Sequence, residues 1–172
     1  MTRAVWAAPM LALLAAAAPL PSTPDLGKAE GRCRAGESGP AFLVGIAGLK
    51  DRRGQFKLEV YPANDKDFLA DDNKLVAAGK TFRRVEVDVP NAGTPVLCVR
   101  VPGPGRYAVS VLHDRDANRK FGWRVDGIGF AANPRLGLGK PKSRVASATA
   151  GSMPTRIDIV MNYQRGIGMR PL

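Results

Sequence analysis

The chain has little of what most enzyme and metal sites are built from. It holds a single histidine, His113, and two cysteines, Cys33 and Cys98, in 172 residues. With one histidine and no Cys-x-x-Cys spacing, a zinc site of the usual four nitrogen and sulfur ligands is excluded. No Gly-x-Ser-x-Gly elbow, catalytic cysteine motif or phosphate-cradling glycine loop occurs. Past the first two dozen residues no apolar run is long enough to cross a bilayer as a helix, which takes about 20 residues. Heptads and internal repeats are missing. Acidic residues are also scarce in one half. From Arg100 onward there are thirteen Lys and Arg against four Asp, whereas from Asp25 to Val99 there are twelve against eleven.

What is present begins with an address. Met1 to Arg3 is a short positive start, Ala4 to Ala18 is apolar and broken only by Pro9, and small residues and prolines continue to Pro24. This order predicts a cleavable secretory signal over 1–24, cut between Ala18 and Pro24, rather than a membrane anchor. Glu30, Gly31 and Arg32 before Cys33 do not suit a lipid-anchoring signal. The expected location is therefore periplasmic or secreted, with no transmembrane span after processing. An even cysteine count in an exported chain favours a Cys33–Cys98 disulfide over two buried thiols. Closing that loop stabilises by about 4 kcal/mol in the chain-entropy model.

The net charge of +11 resides in the C-terminal half and attracts polyanions. Export removes nucleic acid from the expected partners and leaves anionic envelope polymers or lipid surfaces. The alternative is a basic surface that only keeps the protein soluble.

The mature chain divides into a polar arm, 25–40, a β-sandwich, 41–163, and a flexible tail, 164–172. Six short runs carry the sandwich. Ala41 to Gly48 is apolar throughout and suits a strand buried on both faces. Gln55 to Tyr61 sets Phe56, Leu58 and Val60 against Lys57 and Glu59. Thr81 to Val89 sets Val85, Val87 and Val89 against Arg84, Glu86 and Asp88. Leu97, Val99 and Val101, then Tyr107, Val109 and Val111, then Ile157, Ile159 and Met161 repeat the device. Alternation of period two marks half-buried strands, and six at short spacing predict an all-β sandwich or barrel. Asp51 to Gly54 reads as a hairpin turn and Pro102 to Gly105 as a rigid one. A helical turn is expected near Asp67 to Leu69, and a long surface loop over Asn133 to Lys142.

The segment from Cys98 to Asn133 is more specific. A cysteine in a strand, a Pro-Gly turn, a Gly-x-Tyr-Ala-Val strand ending in His-Asp and a later Asp-Gly-x-Gly-Phe run occur here. The residues are Cys98, Gly105, Tyr107, Ala108, Val109, His113, Asp114, Asp126, Gly127, Gly129 and Phe130. In this pattern the chain resembles the exported bacterial family labelled "domain of unknown function 2141", over roughly Cys33 to Met161. It departs from that pattern in the loop between. Asp116 stands for an Asn, Ala117 and Arg119 for glycines, Gly122 for an acidic residue, and Ala131 and Ala132 for Ser and Asn. The resemblance implies an antiparallel sandwich of seven or eight strands, of prealbumin or immunoglobulin-like kind, and no established activity. Independently, a Pro-Gly turn before Gly-x-Tyr suits a corner tyrosine, Tyr107, whose hydroxyl bonds backbone across the turn. The other reading is an ordinary core tyrosine.

Four constellations are candidates for chemistry. Asp114, Asp116 and Asn118 alternate as D-x-D-x-N, and with Asp126 their oxygens suit Ca²⁺, which takes six to eight. Against this, Arg119 replaces the turning glycine, Val125 stands where a bidentate Glu is wanted, and Arg115, Arg119 and Lys120 add positive charge. The alternative is a loop whose Asp and Asn cap their own backbone. His113 and Asp114 are neighbours in a strand and face opposite ways, which disfavours a dyad. Tyr163, Arg165 and Gly166 resemble the Tyr-Arg-Gly-Ser end of hydroxyisourate hydrolase, interrupted by Gln164 and with Ile167 for the Ser. Phe121, Trp123, Arg124 and Phe130 form an aromatic-basic cluster suited to sugar rings or lipid headgroups, or to core filling. If the basic half is functional, Arg115, Arg119, Lys120, Arg124, Lys140, Lys142 and Arg144 should gather at one end with Trp123 among them. The leading expectation is a non-catalytic exported envelope module. A Ca²⁺-stabilised structural domain comes second and a prealbumin-type hydrolase third.

Overall fold

The structure is a computed structural model and describes residues 25–172; the expected signal segment lies outside them. Among the described residues ten strands form two sheets. In chain order they are β1 (Ala41–Ala47), β2 (Gln55–Pro62), β3 (Arg83–Asp88), β4 (Val96–Arg100), β5 (Gly105–Asp114), β6 (Gly127–Phe130), β7 (Ser147–Ala150), β8 (Thr155–Val160), β9 (Asn162–Arg165) and β10 (Gly168–Pro171). The smaller sheet has the order β4-β1-β8 and the larger β10-β9-β6-β5-β2-β3. β5 is long enough to pair twice along one edge, its first half with β7 and its second with β6.

The alternation read from the sequence builds the layer between the sheets. Phe56, Leu58 and Val60 from β2, Val109 and Val111 from β5, and Phe42 and Val44 from β1 are all fully buried there. Burying each such side chain stabilises by about 1.5–3 kcal/mol. Tyr107 is the corner tyrosine. Its hydroxyl donates to the Gly103 carbonyl at 2.9 Å, and its ring meets Phe42 edge-on at 6.3 Å. The Cys33–Cys98 disulfide is formed, with Cα atoms 5.9 Å apart. Among the described residues no helix is long and apolar enough to cross a membrane.

The sandwich departs from expectation in several places. It has ten strands rather than seven or eight. One pair, β1 with β8, is parallel, because a strand's own residues carry no record of its partner's direction. The tail expected to be flexible is the β9–β10 hairpin, closed at Gly166 (φ 60°) and anchored by buried Tyr163 and Met169. Four-residue strands are too short for their period to show.

The arm is held by more than Cys33. A short helix, α1 (Lys28–Gly31), lies on β3, where Arg84 donates its N–H to the Gly27 carbonyl and Lys28 pairs with Glu86 at 2.6 Å. Finally, Val85 and Val89 pack on the core as the alternation of β3 predicts, but two residues of the strand depart from it. Val87 is 39% exposed while Arg84 is 7% exposed. The cause is a third layer. The segment between β2 and β3 folds over the outside of the larger sheet. The helical turn expected near Asp67 to Leu69 is present, with the Phe68 N–H on the Asn64 carbonyl at 3.0 Å, and a short helix, α2 (Asp72–Ala77), follows it, capped by Asp71, which accepts the Lys74 N–H. Phe68, Leu75 and Phe82 form a second apolar cluster there with Tyr61, Ala108 and Phe130.

Candidate functional site: a cleft on the outer face of the larger sheet

The outer layer stops short of covering the sheet. Because β2, β5 and β6 alternate, Lys57, Glu59, Ser110, Leu112, Ile128 and Phe130 face outward. The registers align them in two rows across the strands. One runs Lys57–Leu112–Ile128 and the other Glu59–Ser110–Phe130. Each row begins charged or polar and ends apolar. Over them stands a cleft of about 360 Å³, walled by Phe121 and Trp123 from the 114–126 loop, by residues 136–141, and by Leu69 and Met169. That volume lies in the range of small-molecule sites. Its rim is unusually apolar for a surface, with Phe121 44% and Leu138 77% exposed.

The β2 end of the cleft is electrostatically organised. Glu59 accepts the Tyr61 hydroxyl at 2.6 Å and Arg84 Nε at 2.9 Å, and Arg84 reaches on to Asp72 at 2.9 Å. Burial first, then the Glu59 charge, push the Tyr61 phenol well above its ordinary value. It therefore stays a donor. Lys57 is held less completely. Its ammonium donates to the Arg119 carbonyl at 3.2 Å and lies 3.7 Å from Glu59, beyond hydrogen-bond range. Lys57 and Glu59 also line an adjoining charged depression that includes Lys120.

The 114–126 loop is arranged by its own acids. Buried Asp114 accepts the N–H of Asn118 at 3.1 Å, that of Arg119 at 2.6 Å, and the Gln55 amide at 3.3 Å. Buried Asp126 accepts the N–H of Arg115 at 2.8 Å and of Gly122 at 2.7 Å. Asn118 Oδ1 accepts the Lys120 N–H at 2.8 Å. The capping reading of D-x-D-x-N thus describes the bonds made. One oxygen from each of Asp114, Asp116 and Asp126 nonetheless lies within 4.8 Å of the others, so this triad has the geometry to hold a metal. Ala117 (φ 54°) and Arg119 (φ 67°), where the resemblance had glycines, are both left-handed.

The remaining candidates separate. Fully buried His113 turns inward, with Nδ1 2.7 Å from the Tyr163 hydroxyl and Nε2 2.8 Å from the Arg53 carbonyl, while Asp114 turns outward. Burial holds His113 below the ordinary histidine value and pushes Tyr163 up to about 12. This pair is sealed in the core. Arg165 and Gly166 lie at the hairpin turn, where Arg165 donates to the Pro171 carbonyl at 3.1 Å, whereas the Tyr163 hydroxyl is bonded in the core.

Of the basic residues, Arg115 is engaged with Asp51, whose carboxyl it holds well below the carboxylate range, and Arg119 pairs with Glu86 at 2.7 Å. Lys142 meets Asp65 at 3.4 Å. Lys140 donates to the Phe68 carbonyl at 3.0 Å and lines the cleft with Trp123; Lys120, Arg124 and Arg144 are exposed. The two long loops do meet, but around an apolar cleft rather than a cluster of free cations. The legible sign was Leu112, an apolar residue in the outward register of an otherwise inward-apolar strand. Met169 and Leu136 carried no signal.

Fold and cleft together define a disulfide-tied β-sandwich domain with a loop-walled pocket on one sheet. A family model described as "uncharacterized protein conserved in bacteria (DUF2141)" matches residues 44–158, and the chain belongs to that family. No curated protein and no solved structure matches it.

Proposed function

We propose that this is a non-catalytic, exported binding module of the bacterial envelope whose ligand occupies the cleft between the 114–126 and 136–141 segments. The observation that carries the reading is the cleft itself, a loop-walled recess lined mainly by apolar side chains and rimmed by exposed Phe121 and Leu138. Monomeric proteins rarely leave contiguous apolar surface uncovered without a use. Leu112, Ile128, Phe130, Leu136 and Met169 offer hydrocarbon and few hydrogen-bond partners, so sugar is a poor occupant. Export and the disulfide fit an envelope address, where apolar and amphiphilic molecules abound. The anionic polymer or lipid partner expected of the basic half becomes, on this reading, a ligand met at the cleft. The neutral dye N-phenyl-1-naphthylamine should brighten on binding the mature protein and quench Trp123. Replacing Leu138, which is exposed at the cleft rim, with Glu should weaken both signals while the far-ultraviolet circular dichroism is kept. Unchanged dye binding by a folded Leu138→Glu protein would overturn the site.

A second reading, Ca²⁺ held by Asp114, Asp116 and Asp126, is favoured by their convergence. A native-state ligand raises the melting temperature. Equal melting with millimolar Ca²⁺ and with chelator would rule it out.

A further inference from the structure

The floor of the cleft carries a gradient, and the gradient selects among apolar ligands. Across the sheet from β2 to β6, each row passes from an ionised side chain to hydrocarbon, Lys57 to Leu112 to Ile128 and Glu59 to Ser110 to Phe130. The two charges at the β2 end are not equally committed. Glu59 is satisfied by Tyr61 and by Arg84, which reaches it through Nε at 2.9 Å and Nη2 at 2.7 Å. Lys57 makes one hydrogen bond, to the Arg119 carbonyl, and an ion pair with Glu59 at 3.7 Å, although an ammonium carries three donors. Its side chain is only 17% exposed, so an anion meeting it there is poorly screened by water. Lys120, in the adjoining depression, adds positive charge beside the same end.

We infer that the ligand is a single-chain amphiphile with an anionic head, lying across the strands with its head at Lys57 and its chain over Leu112 and Ile128 toward Met169. The inference rests on the cleft being the binding site and adds the charge, the polarity and the direction of the occupant. A carboxylate and a phosphate monoester share the required chemistry, the first belonging to a free fatty acid and the second to a phosphorylated lipid.

Competition against the bound neutral dye tests this with dodecanoate, dodecyl phosphate, dodecanol and dodecyltrimethylammonium, each below its micelle concentration. One or both anions should bind on the order of tenfold more tightly than dodecanol, as expected of a charge-assisted hydrogen bond. The cation should bind worst. Whichever anion binds more tightly identifies the source. Shortening the chain should weaken binding about fourfold per methylene removed. Lys57→Met should erase the preference for anions over dodecanol, and Lys57→Arg should keep it. Equal affinity for dodecanoate, dodecyl phosphate and dodecanol in the native protein overturns the inference and leaves the cleft as a binding site. So does a cation preference. If the dye and all four chains fail to bind, the proposed function itself falls.

Discussion

β5 has two faces, and the chain treats them differently. Inward, Val109 and Val111 are fully buried, and the polar residues that share their face have their bonds made. His113 meets Tyr163 and Arg53, and Tyr107 meets Gly103. Outward, Ala108 is covered by the α2 layer, but Ser110 and Leu112 floor a cleft whose walls are loops. Buried polar groups left unpaired cost stability, so a face on which every one is paired is built for holding the fold. The outer face instead leaves a recess over Leu112 and Ile128, walled by loops rather than by a packed element. One strand thus divides the packed core from the proposed binding cleft by the direction in which its side chains point.

The largest expected effect breaks the inner side while sparing the outer. Cys33–Cys98 joins the arm to β4, in the smaller sheet, with a sequence separation of 65. Its reduction should cost about 4 kcal/mol and lower the melting temperature on the order of 10 °C for a chain this size. Dye binding at 25 °C should be unchanged, because the cleft belongs to the other sheet. Calorimetry with and without reductant, alongside a dye titration, checks both. Loss of dye binding at a temperature where the reduced protein is still folded would mean that the two faces are coupled.

A smaller effect sharpens the contrast by titrating the inner face. Burial lowers His113 below its ordinary 6.5, so the unfolded chain takes up a proton that the folded one refuses. Stability from this group is complete above pH 6.5 and falls as pH drops below it, by at most about 1.4 kcal/mol per pH unit for one proton. Asp51, depressed mainly by Arg115, acts with the same sign but only below pH 4. Between pH 7 and 5 the melting temperature should therefore decline, and His113→Gln should flatten the decline. A slope that persists in His113→Gln would place the titrating group elsewhere.

Most of the inner face was legible, because period-two alternation reports it directly. Phe56, Leu58 and Val60 needed nothing else, and the Pro-Gly turn before Tyr107 was sufficient to place the corner. What alternation cannot report is a second covering layer. On β3 Val85 and Val89 pack on the core as the alternation suggests, yet Arg84 on the opposite face is also buried, because Glu59 and Asp72 surround its guanidinium and Phe82 stacks 4.9 Å away. Those partners come from β2 and α2 and were not adjacent in sequence. The cleft was illegible for the same reason. Its floor is a product of register between three strands, and its walls come from loops whose course no local pattern fixes. The acidic loop was readable as capping, since Asp and Asn at alternate positions bond their own backbone whatever lies beyond.

The smallest expected effect concerns the loop that borders both faces. Ala117 and Arg119 are left-handed, at φ 54° and 67°, where a Cβ costs about 1–2 kcal/mol. Glycine at such a site removes that strain, but it also loosens the unfolded chain by about 0.4–1 kcal/mol. Ala117 is exposed and its side chain does nothing else, so Ala117→Gly should stabilise by less than about 1 kcal/mol in urea unfolding. Arg119 differs because its guanidinium holds Glu86 at 2.7 Å. Arg119→Gly gains the same relief and loses that partner, and should be no more stable than the native chain. Its consequence should appear on the outer face instead. The Arg119 carbonyl positions the Lys57 ammonium, so a looser loop there should reduce the preference for anionic chains while leaving dodecanol binding intact. If Arg119→Gly instead stabilises as much as Ala117→Gly and keeps the preference, the arginine is neither bracing the loop nor setting the charge of the cleft. Lys57 would then have to owe its position to β2 alone.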